Sequence, residues 1–290
     1  MGRVTRRAPS IRVDIGAQAP DGAGEAGSGG ALTTSARPDT LAVEEPLEVR
    51  VDGTSVTVTM RTPGDDFDLA LGNLITEGVL RGATQVSRLM HCVDEDETGS
   101  PTYTVVDVSL APGVVPDLAR SARSSYQSSA CGVCGKTSID AITTTSPYAV
   151  AADDVRLSPA VVAGLPDLLR ARQKVFDRTG GLHAAGVFTP DGQALVVRED
   201  VGRHNAVDKV VGWAAREARL PLAGHVLVVS GRASFELVQK AVMAGVPALV
   251  AVSAPSSLAV DLARESGLTL VAFTRAPRFT VYAGAQRLGL

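Results

Sequence analysis

The chain has 290 residues, 45% of them hydrophobic and 20% charged, with 29 glycines and only 4% aromatics. That is enough apolar material for one large domain or two ordinary ones, and the shortage of aromatics suits an α/β protein cored by Ala, Val and Leu. A formal net charge of −3 gives no global attraction to nucleic acid or anionic lipid, so any phosphate must be held by locally placed Arg and Lys.

Three cysteines are too few, and too odd a number, for a disulfide framework, and they point to a reducing compartment. No run approaches the roughly eighteen apolar residues that span a bilayer. Arg3, Arg6 and Arg7 are followed by no apolar segment, so no secretory signal is expected. The protein reads as cytoplasmic, with neither membrane nor nucleic acid as a partner.

Residues 1–38 are rich in Gly, Ala, Ser, Pro and Arg. They are expected to form a disordered tail, because such a stretch cannot bury enough apolar surface to offset its ordering entropy. An α+β unit over 39–120 follows. Leu47, Val49 and Val51 alternate with polar residues, Asp52-Gly53 turns the chain, and Val56, Val58 and Met60 alternate again, which spells a hairpin. After Pro63-Gly64, Phe67, Leu69, Leu71, Leu74, Ile75 and Val79 favour one side of a helix that Asp65 or Asp66 is placed to cap. Two strands are expected over 86–93 and 103–110, with His91-Cys92 inside the first and Cys92 buried or packed across the strands.

Residues 121–136 read as a mobile loop carrying Cys131-Gly132-Val133-Cys134-Gly135 after a serine-rich run with no hydrophobic period. A C-x-x-C pair in such a chain means a metal half-site, a dithiol redox pair or a sulfur carrier. A thioredoxin-like site would start a helix directly after a strand, where the serine run stands instead. Zinc held by Cys131, Cys134 and His183 remains open as chemistry, though a second C-x-x-C is missing. A zinc deaminase would need a glutamate two residues after its histidine, and Ala185 stands there.

From 137 to 290 the pattern is that of a larger α/β domain. Ser158-Pro159 opens a helix expected to run to about residue 178 and to be kinked or divided at Pro166. A hairpin over 187–197 comes next, then a helix from about Asn205 to Ala218. Three apolar runs at 226–229, 248–252 and 268–273 alternate with helical segments at 234–243 and 256–265. This spacing gives βαβαβ and a parallel sheet covered by helices.

Ligands collect beyond the carboxyl ends of such strands. The loops there are Ser230-Gly231-Arg232-Ala233-Ser234, Ser253-Ala254-Pro255-Ser256-Ser257 and Phe273-Thr274-Arg275-Ala276-Pro277-Arg278. Two helix N-termini and three arginines describe a pocket for a phosphorylated ligand. Asp200, Arg203, His204, Asn205, Asp208 and Lys209 form a dense polar cluster. Some of these groups are expected to line the same pocket, with a carboxylate receiving base N–H donors and Arg203 or Lys209 facing phosphates; a helix start with His204–Asp208 pairing is the alternative. Neither a Walker A sequence nor G-x-G-x-x-G is present, so ATP hydrolysis and nicotinamide chemistry lack support.

Six segments in this order resemble the FdhD family, the accessory sulfurtransferases of formate dehydrogenase. They are Glu44-Glu45-Pro46-Leu47, Arg61-Thr62-Pro63-Gly64-Asp65-Asp66, the cysteine motif, Gly180-Gly181-Leu182-His183, Glu199-Asp200-Val201-Gly202-Arg203-His204-Asn205, and Ser230-Gly231-Arg232. The resemblance implies a cytidine-deaminase-like layered α/β domain without deaminase chemistry, beside the smaller N-terminal α+β unit, and a homodimer. It also implies sulfur taken from a cysteine desulfurase and delivered to the Mo-bis(molybdopterin guanine dinucleotide) cofactor, or its tungsten counterpart, for formate dehydrogenase. By position, Cys131 resembles the persulfide-bearing cysteine, and Phe273, Thr274, Arg275, Ala276, Pro277 and Arg278 the cofactor-contacting segment. Cys134 would serve as the second thiol. A non-catalytic chaperone that only binds and delivers the cofactor is the alternative function.

Overall fold

The computed structural model describes residues 3–15, 32–95, 101–118 and 146–290. Cys131 and Cys134, with the serine-rich run and the loop expected over 121–136, lie outside the described residues. In chain order the strands and helices are β1 (Thr5–Ile15), β2 (Leu32–Ala42), β3 (Glu45–Val51), β4 (Thr54–Arg61), α1 (Asp66–Thr76), β5 (Val86–Glu95), β6 (Pro101–Leu110), α2 (Pro159–Arg170) and α3 (Lys174–Thr179). They continue with β7 (His183–Phe188), β8 (Ala194–Asp200), α4 (Arg203–Arg216), β9 (Val226–Val229), α5 (Phe235–Met243), β10 (Ala248–Ala251), α6 (Ser257–Glu265), β11 (Thr269–Arg275) and β12 (Arg278–Ala283).

The alternation in 47–60 becomes the antiparallel pair β3–β4, turned by Asp52 and Gly53 at positive φ. Leu47, Val49 and Val51 are buried on its inner face. β6 adds to β3 in parallel and β5 closes a four-stranded sheet in the order β4-β3-β6-β5. The second sheet runs β12-β11-β10-β9-β7-β8. Its centre is the expected βαβαβ: β9, β10 and β11 are parallel neighbours joined through α5 and α6. Every residue of β9 and β10 is buried, as a strand covered on both faces requires. The mixed α/β class follows directly from these alternations.

Two glycines let the halves of the molecule meet. A methyl group built on Gly72 of α1 would stand 1.8 Å from the carbonyl oxygen of Asp208, and one on Gly212 of α4 would stand 1.8 Å from that of Asp68. The two helices therefore touch backbone to backbone, which only glycine allows. Between α1, α4 and α5 the Lys240 ammonium contacts Asp208 at 2.9 Å and Glu77 at 2.8 Å, and donates to the Thr76 hydroxyl at 2.8 Å. Asp208 is thus paired with Lys240 and not with His204.

Four expectations are corrected. Among the described residues of 1–38, expected to be disordered, β1 pairs antiparallel with residues 32–38 of β2 at seven positions, and at four more beyond them; cross-strand bonding orders a stretch whose composition alone cannot. Asp65 takes a left-handed φ of 55° and makes no capping bond, because its carboxylate turns to Arg198 at 3.4 Å while Asp66 pairs with Arg61 at 3.0 Å. The helix from 159 runs through Pro166, held to the sheet by buried Leu165 and Leu169, and breaks only after Arg170. The break is stabilised from a distance: the Glu199 carboxylate accepts the N–H groups of Val175 and Phe176 at 2.9 and 2.7 Å, satisfying the exposed donors that begin α3. Finally, 273–278 is not a free loop. Phe273, Thr274 and Arg275 belong to β11 and Arg278 opens β12, around the turn Ala276-Pro277. No helix among the described residues is long and apolar enough to cross a membrane.

Candidate functional site

The carboxyl ends of β9, β10 and β11 carry their loops side by side, and backbone hydrogen bonds stitch them into one rim. Ser253 donates to Gly231 at 3.3 Å, Ala233 to Ala254 at 3.1 Å, Ser256 to Ala233 at 3.0 Å and Phe273 to Ser253 at 3.2 Å. On the other flank, the Ser230 N–H donates to the Ala184 carbonyl and the Ala184 N–H returns a bond to the Ser230 hydroxyl, both at 2.9 Å. Ser230 is therefore a fastening between β9 and β7, its hydroxyl oxygen accepting from Ala184. Three loops that the sequence placed at one end of a sheet are thus continuous in space.

Gly231 lies beside two of the expected site residues: a methyl built there would stand 3.5 Å from His183 Nδ1 and 3.9 Å from Arg203 Cδ, in ordinary van der Waals contact with both. Burial and the charge of Arg203 lower the His183 pKa, opposed by Asp200. His204, in the next layer, is pushed down to about 4 by burial first, then by Arg203 and Lys240. Neutral imidazoles and charged arginines then define the rim at pH 7. His204 Nε2 lies 3.4 Å from the Ser234 hydroxyl and 3.9 Å from Glu236. Both neighbours meet the same ring nitrogen, whereas a nucleophile relay needs them on opposite nitrogens.

Positive charge is free on this rim. Arg232, Arg275 and Arg278 are exposed, and neither they nor Arg203 have an ion-pair partner among the described residues; the Arg203 Nε is buried with no hydrogen bond there. Arg275 and Arg278 stand directly opposite one another across the β11–β12 register, a like-charge pairing that an anion would relieve. Phe273 adopts a φ of 49° and is 52% exposed, which turns its ring outward and Thr274 inward. The Thr274 hydroxyl is buried without a partner among the described residues.

Asp200 does not line this rim. Its carboxylate is wholly buried and accepts from Lys209 Nζ at 2.7 Å, the Thr62 N–H at 3.2 Å, the Gly202 N–H at 2.8 Å and Asn205 Nδ2 at 3.1 Å. No lone pair is left over for a nucleobase, and the reading of Asp200 as a ligand acceptor is corrected. It acts as a knot: Lys209 also donates to the Thr62 carbonyl at 2.9 Å and Val201 to the Thr62 hydroxyl at 3.2 Å. The segments 61–66 and 199–205 are thereby tied together behind Arg203. Sequence spacing could not reveal Thr62 as a support, since its partners Asp200, Val201 and Lys209 lie 138, 139 and 147 residues away; Lys209 does stand in the polar cluster the sequence shows, but as the buried partner of Asp200 and not facing phosphate.

Cys131 and Cys134 fall outside the described residues, so their geometry against His183 is not part of this site. Among the described residues no cluster of His, Cys, Asp and Glu is arranged to hold a metal ion. A cavity of about 360 Å³ lies away from the rim, lined by Ile75, Val79, Arg81, Asp117 and Met243. It sits at the far end of α5 and holds none of the expected site residues.

The sequence matches the FdhD/NarQ family over residues 42–289. A protein of Streptomyces coelicolor named sulfur carrier protein FdhD is 56% identical over 292 residues, covering 100% of this chain and 98% of the relative. One of the same name from Mycobacterium tuberculosis is 56% identical over 255 residues, covering 87% and 92%. In fold, the chain is similar to a solved structure from Desulfotalea psychrophila assigned as a formate dehydrogenase accessory protein, with a TM-score of 0.69, 23% identity, and 97% and 99% of the two chains covered. Matched over nearly its whole length, the chain belongs to the FdhD/NarQ family.

Proposed function

We propose that this chain is a sulfur carrier, working in the cytoplasm as a homodimer, that takes sulfur from a cysteine desulfurase. It passes that sulfur to the Mo-bis(molybdopterin guanine dinucleotide) cofactor, its bound acceptor substrate, for formate dehydrogenase. The observation that carries this reading is the rim: three stitched loops bearing Arg232, Arg275 and Arg278, with Arg203 of α4 beside them and none of the four in an ion pair among the described residues, in a chain whose relatives are named sulfur carriers. Arg203, Arg232, Arg275 and Arg278 supply charge-assisted donors for the phosphates. Phe273 offers a half-exposed ring for a purine to stack on, and neutral His183 a hydrogen-bonding edge beside Gly231.

Sulfur transfer needs a thiolate that can leave one partner and reach another. The Cys131 thiolate attacks the outer sulfur of the desulfurase persulfide, a new S–S bond forms, and the desulfurase cysteine departs as thiolate. Attack of the Cys134 thiolate on the Cys131 sulfur then expels hydrosulfide to the acceptor and leaves a disulfide, which two electrons from a cellular thiol reductant reopen.

Calorimetric titration with GDP, a fragment of the proposed substrate, tests the rim. Arg275→Ala and Arg278→Ala should each weaken binding about tenfold or more, since a hydrogen bond to a charged group contributes about 1.5–3 kcal/mol. Unchanged affinity in both variants would remove the rim as the binding site.

A further inference from the structure

A second concentration of positive charge lies beside the rim, where α3 meets the root of the β1–β2 ribbon. Arg178 donates to the Thr5 hydroxyl at 3.0 Å, and a methyl built on Gly181 would touch Ala42 Cβ at 3.7 Å. Lys174 and Arg178 are four residues apart on α3, hence on one side of it and about 6 Å apart along its axis. Arg7 shares the face of Thr5 on β1 and follows it by about 7 Å. Arg172, two residues ahead of α3, donates to the Leu168 carbonyl at 3.1 Å. Arg7, Arg172, Lys174 and Arg178 are all exposed, and none of them is in an ion pair among the described residues. The acids nearby are engaged elsewhere: Asp177 pairs with Arg170 at 2.6 Å, and Glu199 accepts the N–H groups of Val175 and Phe176.

Helix stability does not account for this charge. Lys174 is the first residue of α3, the end of a helix at which a cation is unfavourable, and neighbouring cations without counter-charges repel one another. In a chain whose formal net charge is −3, such a concentration fits an anionic partner. From Gly180, where α3 ends, to His183 the chain spans at most about 10 Å. The patch therefore borders the rim on its His183 side.

We propose that this patch is the docking surface for the protein that donates sulfur, met by an acidic face of that donor. The inference rests on the sulfur-carrier reading above and names the surface that brings the donor to the rim. Sulfur passes from thiol to thiol only on contact, so the donor must seat close to where the sulfur is used. A donor is met briefly and repeatedly, which exposed charge serves by raising the association rate without slowing release. Nucleic acid fits less well, because single strands are held by bare rings on which bases stack. Phe176, the one aromatic residue of α3, is already covered by the Arg170 guanidinium at 4.6 Å.

The rate at which Cys131 of the full chain gains sulfur from a cysteine desulfurase and cysteine, followed by mass spectrometry, tests this in the wild type and in Arg7→Glu/Lys174→Glu. Neither side chain forms a hydrogen bond or ion pair among the described residues, and circular dichroism melting should show the fold of the variant intact. At about 20 mM salt the second-order loading rate should fall about tenfold or more in the variant. The gap should close toward about 500 mM salt, as screening shortens the reach of exposed charges. The neutral pair Arg7→Gln/Lys174→Gln should lose less, in the same direction, and GDP affinity should stay unchanged in both variants. Equal loading rates, or a loss that salt does not relieve, overturn the patch and leave the carrier reading standing. A loss confined to passing sulfur onward from the loaded chain overturns the donor as occupant, as does wild-type binding to a short DNA duplex that the variant lacks while its loading is unchanged. A wild-type chain that takes up no sulfur overturns the carrier reading and the patch with it.

Discussion

Replacing Lys209 with Met tests whether the knot behind the rim is what fixes Arg203 in place. Lys209 and Asp200 are 1% and 0% exposed and 2.7 Å apart, and the ammonium also holds the Thr62 carbonyl at 2.9 Å. Methionine keeps the length and apolar stem of the side chain but leaves the Asp200 carboxylate buried against neutral donors only. Removing one partner of a buried ion pair costs about 3–5 kcal/mol, because the remaining charge loses its compensation. The other bonds to Asp200, from Thr62, Gly202 and Asn205, soften this toward the lower end. Urea unfolding followed by circular dichroism should therefore show about 3 kcal/mol less stability, with an unchanged m-value. Adding Asp200→Asn to Lys209→Met should recover at least about 1 kcal/mol, as a double-mutant cycle of a coupled pair requires. A loss under about 1 kcal/mol for Lys209→Met alone would refute the assignment of this pair as the tie between 61–66 and 199–205.

Other perturbations separate the parts of the structure. Gly72→Ala drives a methyl to 1.8 Å from the Asp208 carbonyl and should cost about 3 kcal/mol or more through overpacking; Gly164→Ala, in α2 with nothing within 4 Å of the added carbon, should gain about 0.5–1 kcal/mol from helix propensity alone. Thermal melts of the two variants should therefore move in opposite directions. His204 has an ordinary value of 6.5 and a folded value of about 4. Between these limits the unfolded chain binds a proton that the folded chain refuses, so stability falls as pH falls through the window. The ring is about one-third exposed, which tempers the slope, and His204→Gln should flatten the stability profile between pH 6.5 and 4. Cys131→Ala should abolish support of formate dehydrogenase activity by the chain while leaving GDP affinity unchanged; support retained in full would instead identify a chaperone that only delivers the cofactor.

The central parallel strands were legible because burial on both faces writes itself as short apolar runs, as in Val226–Val229 and Ala248–Ala251. The rim followed from them, since strand ends set where loops gather. Elements fixed by distant partners were not legible. The break after Arg170 depends on Glu199 supplying acceptors to Val175 and Phe176, and no local signal at 171–173 announces it. Asp200 looked like a ligand group because its neighbours are polar, whereas its four donors include the Thr62 N–H, 138 residues earlier in the chain. The ribbon escaped for a different reason: Ile11, Val13 and Ile15 alternate, but they stand in a stretch whose overall composition matches disorder.

The most direct measurement is the mass of the peptide containing Cys131 after incubation of the chain with a cysteine desulfurase and cysteine, under conditions that preserve persulfides. One additional sulfur on Cys131, absent when the desulfurase is omitted, is the result expected of a carrier. A Cys131 peptide that stays unmodified while the desulfurase itself carries persulfide would contradict sulfur transfer through this residue.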